Sequence, residues 1–227
     1  MYLAVFGDVH GNLDDMYRYA QEWERKHQRQ IAAILQVGDM GTFPPGSQLD
    51  RGTRLYAEKD PTELGCADYI LGQKKASHMT IFVRGNHENF DFLHEHENSP
   101  IDPFGKICYL PSGEVFTISE GDLRVRISGL GGISYKGNNP RKKMRNLGRK
   151  YFSDQECDRL LTLEPGGIDI LLFHEAPKGY GNANSPHSGS DEVSLIIEYL
   201  QPRFAFYGHY SRPPEPFHIG RTAVMPV

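Results

Sequence analysis

Five short apolar runs in this chain each end on residues able to bind a metal ion. Tyr2 to Phe6 leads into Gly7-Asp8-Val9-His10-Gly11, and Ile31 to Val37 into Gly38-Asp39. Thr80 to Val83 leads into Arg84-Gly85-Asn86-His87-Glu88, Ile168 to Phe173 into His174, and Phe204 to Tyr207 into Gly208-His209. Asp8 and His10 stand two apart on a glycine-flanked turn, where both side chains can converge on one cation. Alone, an Asp-x-His or a Gly-Asp is ordinary turn chemistry; the whole series in this order is specific. Carboxylate, amide and imidazole donors together suit Mn, Fe, Zn or Co better than an all-oxygen magnesium or calcium cage. Two such ions about 3.5–4 Å apart can activate water and stabilise charge on a transferring phosphoryl group.

The elements that must hold these residues are those of an α/β domain, because the apolar runs read as buried strands and alternate with helical stretches. Asn12 to about His27 carries Leu13, Met16, Tyr17, Ala20 and Trp23 at helical spacing, and Ser190 to Leu200 is an amphipathic helix with Ser190 as its N-cap. Val115 to Ile118 and Leu123 to Ile127 form a hairpin around Glu120-Gly121-Asp122. Polar residues at the carboxyl ends of five strands lie where open α/β sheets place their ligand crevices. At 227 residues the chain is within the range of one domain, expected to span 1–227.

Composition narrows the setting. No apolar run approaches the ~20 residues of a membrane span, and Cys66, Cys108 and Cys157 are too few and scattered for a disulfide framework or a structural zinc site. A cytoplasmic protein without a membrane or an obligate protein partner is the expectation. The net charge of -4 gives no general attraction to nucleic acid. Against it stands one basic island, Lys136, Arg141, Lys142, Lys143, Arg145, Arg149 and Lys150, without an acidic residue between 136 and 150. Such a run is ordinarily a solvated loop; its functional reading is to guide a polyphosphate or RNA backbone.

The motif series Gly7-Asp8-Val9-His10-Gly11, Gly38-Asp39, Gly85-Asn86-His87-Glu88, His174 and Gly208-His209 resembles that of the calcineurin-like metallophosphoesterases over nearly the whole chain. The resemblance implies a four-layer α/β/β/α sandwich with two mixed sheets and two divalent or mixed-valence transition metal ions (Mn, Fe or Zn). Asp8, His10 and a bridging Asp39 would hold the first ion, and Asp39, Asn86, His174 and His209 the second. A water bridging the metals would attack phosphorus, while His87, no ligand, would contact the phosphate and assist the leaving oxygen. One departure concerns the Gly-His-x-His pattern of many members, whose last histidine is Ser211 here. His218 is a candidate substitute, against the plainer reading of a surface strand histidine.

Within the family, Tyr69-Ile70-Leu71-Gly72-Gln73-Lys74-Lys75-Ala76 and the long insert before it look like the RNA lariat-debranching enzymes. Looser likeness extends to Ile107-Cys108-Tyr109-Leu110, Arg126 to Ile133 and Asp169 to Pro177. Those enzymes usually have cysteine at the position of Asp8 and keep the histidine that Ser211 replaces. The expected activity is hydrolysis of a phosphodiester of nucleotide or RNA type. The alternatives are a phosphoprotein phosphatase-like phosphomonoesterase and, behind it, a non-catalytic scaffold. Against the monoesterase, Asp50-Arg51-Gly52 follows Asp39 only after an insert. Arg84 has two equal readings, a contact to substrate phosphate and an ion pair inside the domain.

Overall fold

The computed structural model describes residues 1–185 and 187–227. In chain order it contains β1 (Tyr2–Phe6), α1 (Leu13–His27), β2 (Ile31–Gln36), α2 (Arg51–Ala57), a 3-10 turn (Pro61–Leu64), α3 (Cys66–Ile70), β3 (Thr80–Phe82), α4 (Phe90–Glu95) and β4 (Ile107–Tyr109). There follow β5 (Phe116–Glu120), β6 (Leu123–Leu130), α5 (Pro140–Asn146), α6 (Asp154–Leu161), β7 (Ile170–Phe173), α7 (Asp191–Leu200), β8 (Phe204–Tyr207), β9 (Phe217–Ile219) and β10 (Thr222–Pro226). None of the described helices is long and apolar enough to cross a membrane.

Local chemistry explains the helices that matter most. The Asn12 side chain caps α1 by accepting from Asp15 N, acidic Asp14 and Asp15 occupy the first turn, and Arg25, Lys26 and His27 the last, as the helix dipole favours. Leu13, Met16, Tyr17 and Ala20 form its buried stripe. Ser190 caps α7 as expected, and Ser153 with Glu156 closes a capping box on α6. The predicted hairpin forms one residue tighter, with Glu120 paired to Leu123 across Gly121-Asp122 and Gly121 at φ +59.

The strands make two sheets, β1-β2-β3-β4 and β5-β6-β7-β8-β10-β9. The first is parallel throughout and only the second is mixed, so the expectation of two mixed sheets is corrected in that detail. Two-residue alternation along the strands builds the layers. Ile34 and Phe82 face α1, whereas Ala33, Leu35, Ile81 and Val83 meet Ile127, Ile170 and Leu172 of the other sheet. Leu171, Phe173, Ala205 and Tyr207 turn outward onto Leu160, Val193, Ile196, Ile197 and Leu200 of α6 and α7. The result is helices, sheet, sheet, helices, the architecture expected.

Register then places the chemistry. Phe6 pairs with Gln36 and Gln36 with Phe82; Leu130 pairs with Phe173 and Phe173 with Tyr207. Parallel strands in step end together, so both sheets present their carboxyl ends, and the residues after them, at the same edge.

Candidate metal centre

Asp8, His10, Asp39, Asn86, His87 and His209 line one cleft of about 270 Å³, together with Tyr56 and Glu63. His174 lies fully buried behind it, its ring 4.9 Å from that of His209. Two sets of donor atoms fall within 4.8 Å of one another, Asp8, His10 and Asp39, and Asp39, His174 and His209. Asp39 belongs to both. Its Oδ1 accepts from the backbone N of Asn86 (2.6 Å) and His87 (2.7 Å), which leaves Oδ2 3.4 Å from His174 Nε2 and 3.8 Å from His10 Nε2.

Backbone conformation marks the same residues. Among the described residues, five other than glycine have positive φ, and two of these, Gln28 and Gln201, are helix C-caps. The other three are His10 (φ 45), Asp39 (φ 54) and His209 (φ 70). Each such conformation costs about 1–3 kcal/mol and persists where surrounding structure enforces it. Glu88 is one enforcer: its buried carboxylate accepts from Met40 N and Thr42 N (both 2.8 Å) and Thr42 Oγ1 (2.6 Å), pinning the Asp39 loop to the Asn86 loop. Gly85 is another, since a Cβ there would lie 2.0 Å from Asp39 Oδ1.

The donor chemistry fits a cation. His174 Nδ1 lies 3.0 Å from the Val37 carbonyl, so its hydrogen belongs there, and the Nε2 lone pair faces Asn86 Oδ1 (3.1 Å) and Asp39 Oδ2 (3.4 Å). Three acceptors turned toward one another repel unless a proton or a metal ion lies between them. Without a metal, a proton does so: burial by itself would strip His174 of it, but Asp39 and Asp8 offset this and hold the imidazolium up, to about 9. His10 is held up to about 9, first by its hydrogen bond to Glu63. Burial and the charge of His174 push His209 down to about 4, leaving a neutral imidazole at pH 7.

His87 stands beside this set. Its Nδ1 lies 3.0 Å from Asp50 Oδ2, which also accepts from Thr53 Oγ1 (2.6 Å), while Asp50 Oδ1 caps α2 through Gly52 N and Thr53 N. The bond to Asp50 raises the His87 pKa above its ordinary value. A Cβ on Gly52 would lie 3.0 Å from His87 Cε1, so glycine there lets the insert close onto the ring. Lys150 is near enough for its charge to oppose protonation of His87.

Arg84, entered above as a candidate substrate contact, is corrected by the structure in favour of the internal ion pair. It is 3% exposed, its Nη1 is 2.6 Å from Glu156 Oε1, and Nε donates to the Arg149 carbonyl at 2.6 Å. It lines a separate cavity of about 550 Å³ with Tyr109, Ser112 and Glu156, and that cavity shares no lining residue with the cleft. Ser211 is exposed, and His218 is an exposed residue of β9 that does not line the cleft, so neither completes the His10 side. Sequence reasoning missed Glu63 and the reach of Asp50; the Asp50-Arg51-Gly52 signal was visible but stood far from Asp39.

Comparison with known proteins agrees with this geometry. The model of the calcineurin-like phosphoesterase family matches residues 1–213. Relatives include a lariat debranching enzyme of Arabidopsis thaliana, 28% identical over 92% of this chain and 54% of its own length. Another, of Entamoeba histolytica, is 26% identical over 92% of this chain and 63% of its own length. The chain thus spans a little over half the length of these relatives. The crystal structure of TT1561 of Thermus thermophilus shares the fold, with a TM-score of 0.57 at 18% identity, covering 98% of this chain and 87% of that one. Motif order, layer architecture and the family match over residues 1–213 agree, and this chain belongs to the calcineurin-like phosphoesterase family.

Proposed function

We propose that the chain hydrolyses phosphodiesters of nucleotide or RNA type with two bound transition metal ions, Mn, Fe or Zn. Asp8, His10 and Asp39 hold one, and Asp39, Asn86, His174 and His209 the other. The observation that carries this reading is the convergence of acceptor atoms on one cleft, beside a histidine whose protonated form is supported by a carboxylate. Bound ions of this kind supply Lewis acidity, readying a water for attack and drawing charge from the phosphoryl oxygens. The chain's own contribution is to orient the ester and to handle the proton. Asp50 takes His87 Nδ1–H and leaves Nε2–H to protonate the departing ester oxygen.

Metal-stripped protein, resupplied with Mn, Fe, Zn or Mg, is expected to cleave bis-p-nitrophenyl phosphate in preference to p-nitrophenyl phosphate. Failure to turn over either diester or dinucleotide with any of the ions would sink the reading. On a dinucleoside phosphate, His87→Ala lowers kcat by about 10²–10⁴-fold. The loss is smaller with p-nitrophenolate, which departs without a proton. Because the acid form of His87 is the active one and Asp50 raises its pKa, activity falls as pH rises through that pKa. Asp50→Asn moves this alkaline limb to lower pH in the kcat profile.

The basic segment supports a polyanionic substrate. Lys136, Arg141, Lys142, Lys143 and Arg145 are exposed on and before α5, while the charge of Lys150 is felt at His87. Replacing Lys142, Lys143 and Arg145 with glutamine raises KM for a single-stranded oligonucleotide and reduces the slope of log affinity against log salt by roughly 0.7 per charge. KM for the small nitrophenyl diester stays as it was; an unchanged salt slope would remove the segment from substrate binding. A monoesterase is kept as the second reading by one observation: the insert that separates Asp50 from Asp39 in sequence folds back and delivers Asp50 to His87. Preference for p-nitrophenyl phosphate would promote it.

A further inference from the structure

Among the described residues that line the cleft, Glu63 is the one carboxylate outside the proposed ligand set. We infer that Glu63 is a positioning residue for the first metal position, holding the His10 imidazole so that Nε2 faces the cation and offsetting the histidine that Ser211 replaces. This rests on the metal-dependent reading given above.

Geometry carries the inference. Glu63 Oε1 is 3.0 Å from His10 Nδ1, and the Glu63 side chain is 11% and the His10 side chain 33% exposed, so the bond is partly shielded from competing water. On the other side of the ring, Nε2 faces Asp39 Oδ2 at 3.8 Å, and the His87 ring lies at 5.8 Å. An imidazole with two ligand partners and no carboxylate behind it can turn about its χ2 bond and present either nitrogen. A carboxylate on Nδ1–H removes that freedom, fixes the tautomer and strengthens Nε2 as a donor.

Glu63 is itself held in place by the metal-binding turn. A Cβ on Gly11 (φ +78) would lie 2.2 Å from the Glu63 carbonyl oxygen, and one on Gly65 would lie 2.8 Å from the Gly11 carbonyl oxygen. Two glycines thus allow the 3-10 turn to rest directly on the Asp8–His10 turn. Asp60 starts that 3-10 turn by accepting from Thr62 N and Oγ1. Further along the insert, Tyr69 Oη and Lys74 Nζ both bond Asp14 of α1 at 2.7 Å. With Asp50 bonded to His87 before it and Tyr69 and Lys74 to Asp14 after it, the insert is anchored on both sides of Glu63, which gives the carboxylate a fixed reach.

The test is calorimetric titration of metal-stripped wild type, Glu63→Ala and Glu63→Gln with Mn²⁺. Wild type is expected to show two binding steps. In Glu63→Ala one step weakens by about 10–100-fold and the other keeps its constant. Glu63→Gln, which keeps an acceptor for Nδ1–H without the charge, falls between. Adding His209→Ala, which impairs the other position, leaves the weakened step as the remaining one and so assigns it. Superimposable isotherms for the three proteins would overturn the role of Glu63 while leaving the metal reading intact, whereas a wild type that takes up no metal would overturn both. If Glu63→Ala does not fold, the near-isosteric Glu63→Gln decides by the same comparison.

Discussion

On the proposed two-metal reading, Asp39→Asn is expected to reduce hydrolysis by at least about 10³-fold and to lower the bound metal from two ions to at most one, measured by steady-state kinetics and by elemental analysis after equilibration. The effect is local. Asparagine still offers Oδ1 to the backbone N of Asn86 and His87, and it tolerates the left-handed φ of 54 better than most residues. What changes is the atom in the Oδ2 position, where an amide NH₂ now points donors at His174 Nε2, 3.4 Å away, into the space a cation needs. The melting temperature is therefore expected to move little while metal binding collapses, which separates the charge from the fold. The same charges set how uptake depends on pH. In metal-free protein His10 and His174 are both held up to about 9, so at pH 7 an ion at either position must displace one proton, from His10 at the first and from His174 at the second. The apparent affinity of each position then rises with pH by up to about 10-fold per unit below 9 and levels off above it.

The largest loss of stability is expected from Glu156→Leu. The variant leaves the Arg84 guanidinium buried beside Tyr109 and Ser112 without its carboxylate, and breaking a buried pair from one side costs about 3–5 kcal/mol. For a chain of this size that is about 6–20 °C of melting temperature. Glu156 also closes the capping box of α6 through Ser153, which adds to the loss. Arg84→Met combined with Glu156→Leu is expected to recover most of it, because both charges then leave together. Burial alone would raise the Glu156 carboxyl, but the Arg84 guanidinium beside it holds it below the ordinary range. A depressed pKa contributes stability that is complete above the unfolded value, about 4.3, and is lost as pH falls through the folded one. The stability gap between wild type and Glu156→Gln in urea unfolding should therefore narrow below about pH 4. A gap that is constant from pH 7 to pH 3 would show that Arg84 does not depend on that charge.

Arg84 also shows where the sequence stops being informative. Asp8, Asp39, Asn86, His174 and His209 were legible because each follows an apolar strand at a glycine or a strand end, and parallel strands in register must bring such ends together. Arg84 also stands at a strand end, one residue before Gly85, yet its long side chain reaches away from the cleft to a partner 72 positions later on α6. No local pattern encodes that direction. The insert was illegible for another reason: α2, the 3-10 turn and α3 have between four and seven residues, too short for an apolar stripe, and are fixed by caps and by contacts to Gly11 and Asp14. Asp50 and Glu63 gain their meaning only from that packing. Glu88 was visible within the Gly85-Asn86-His87-Glu88 motif, but its task, accepting backbone N–H groups of the Asp39 loop, requires the two loops to be adjacent.

His209 N donates to both Asp8 oxygens, at 3.2 and 3.0 Å, across 201 positions of sequence. The cleft is thus closed by residues from distant parts of the polypeptide, and this places it late in the life of a newly made molecule. At a synthesis rate of roughly 5–20 residues per second, the turn bearing Asp8 and His10 exists for on the order of ten seconds or more before His209 is made. During that interval the nascent chain still lacks the last of the six proposed ligands. Contacts this distant also slow the search for the native state, since the loop must close before the contact rewards it. On the proposed reading, hydrolytic capacity would then appear all at once, when β8 and β10 have paired, and would be a direct reporter of completed folding.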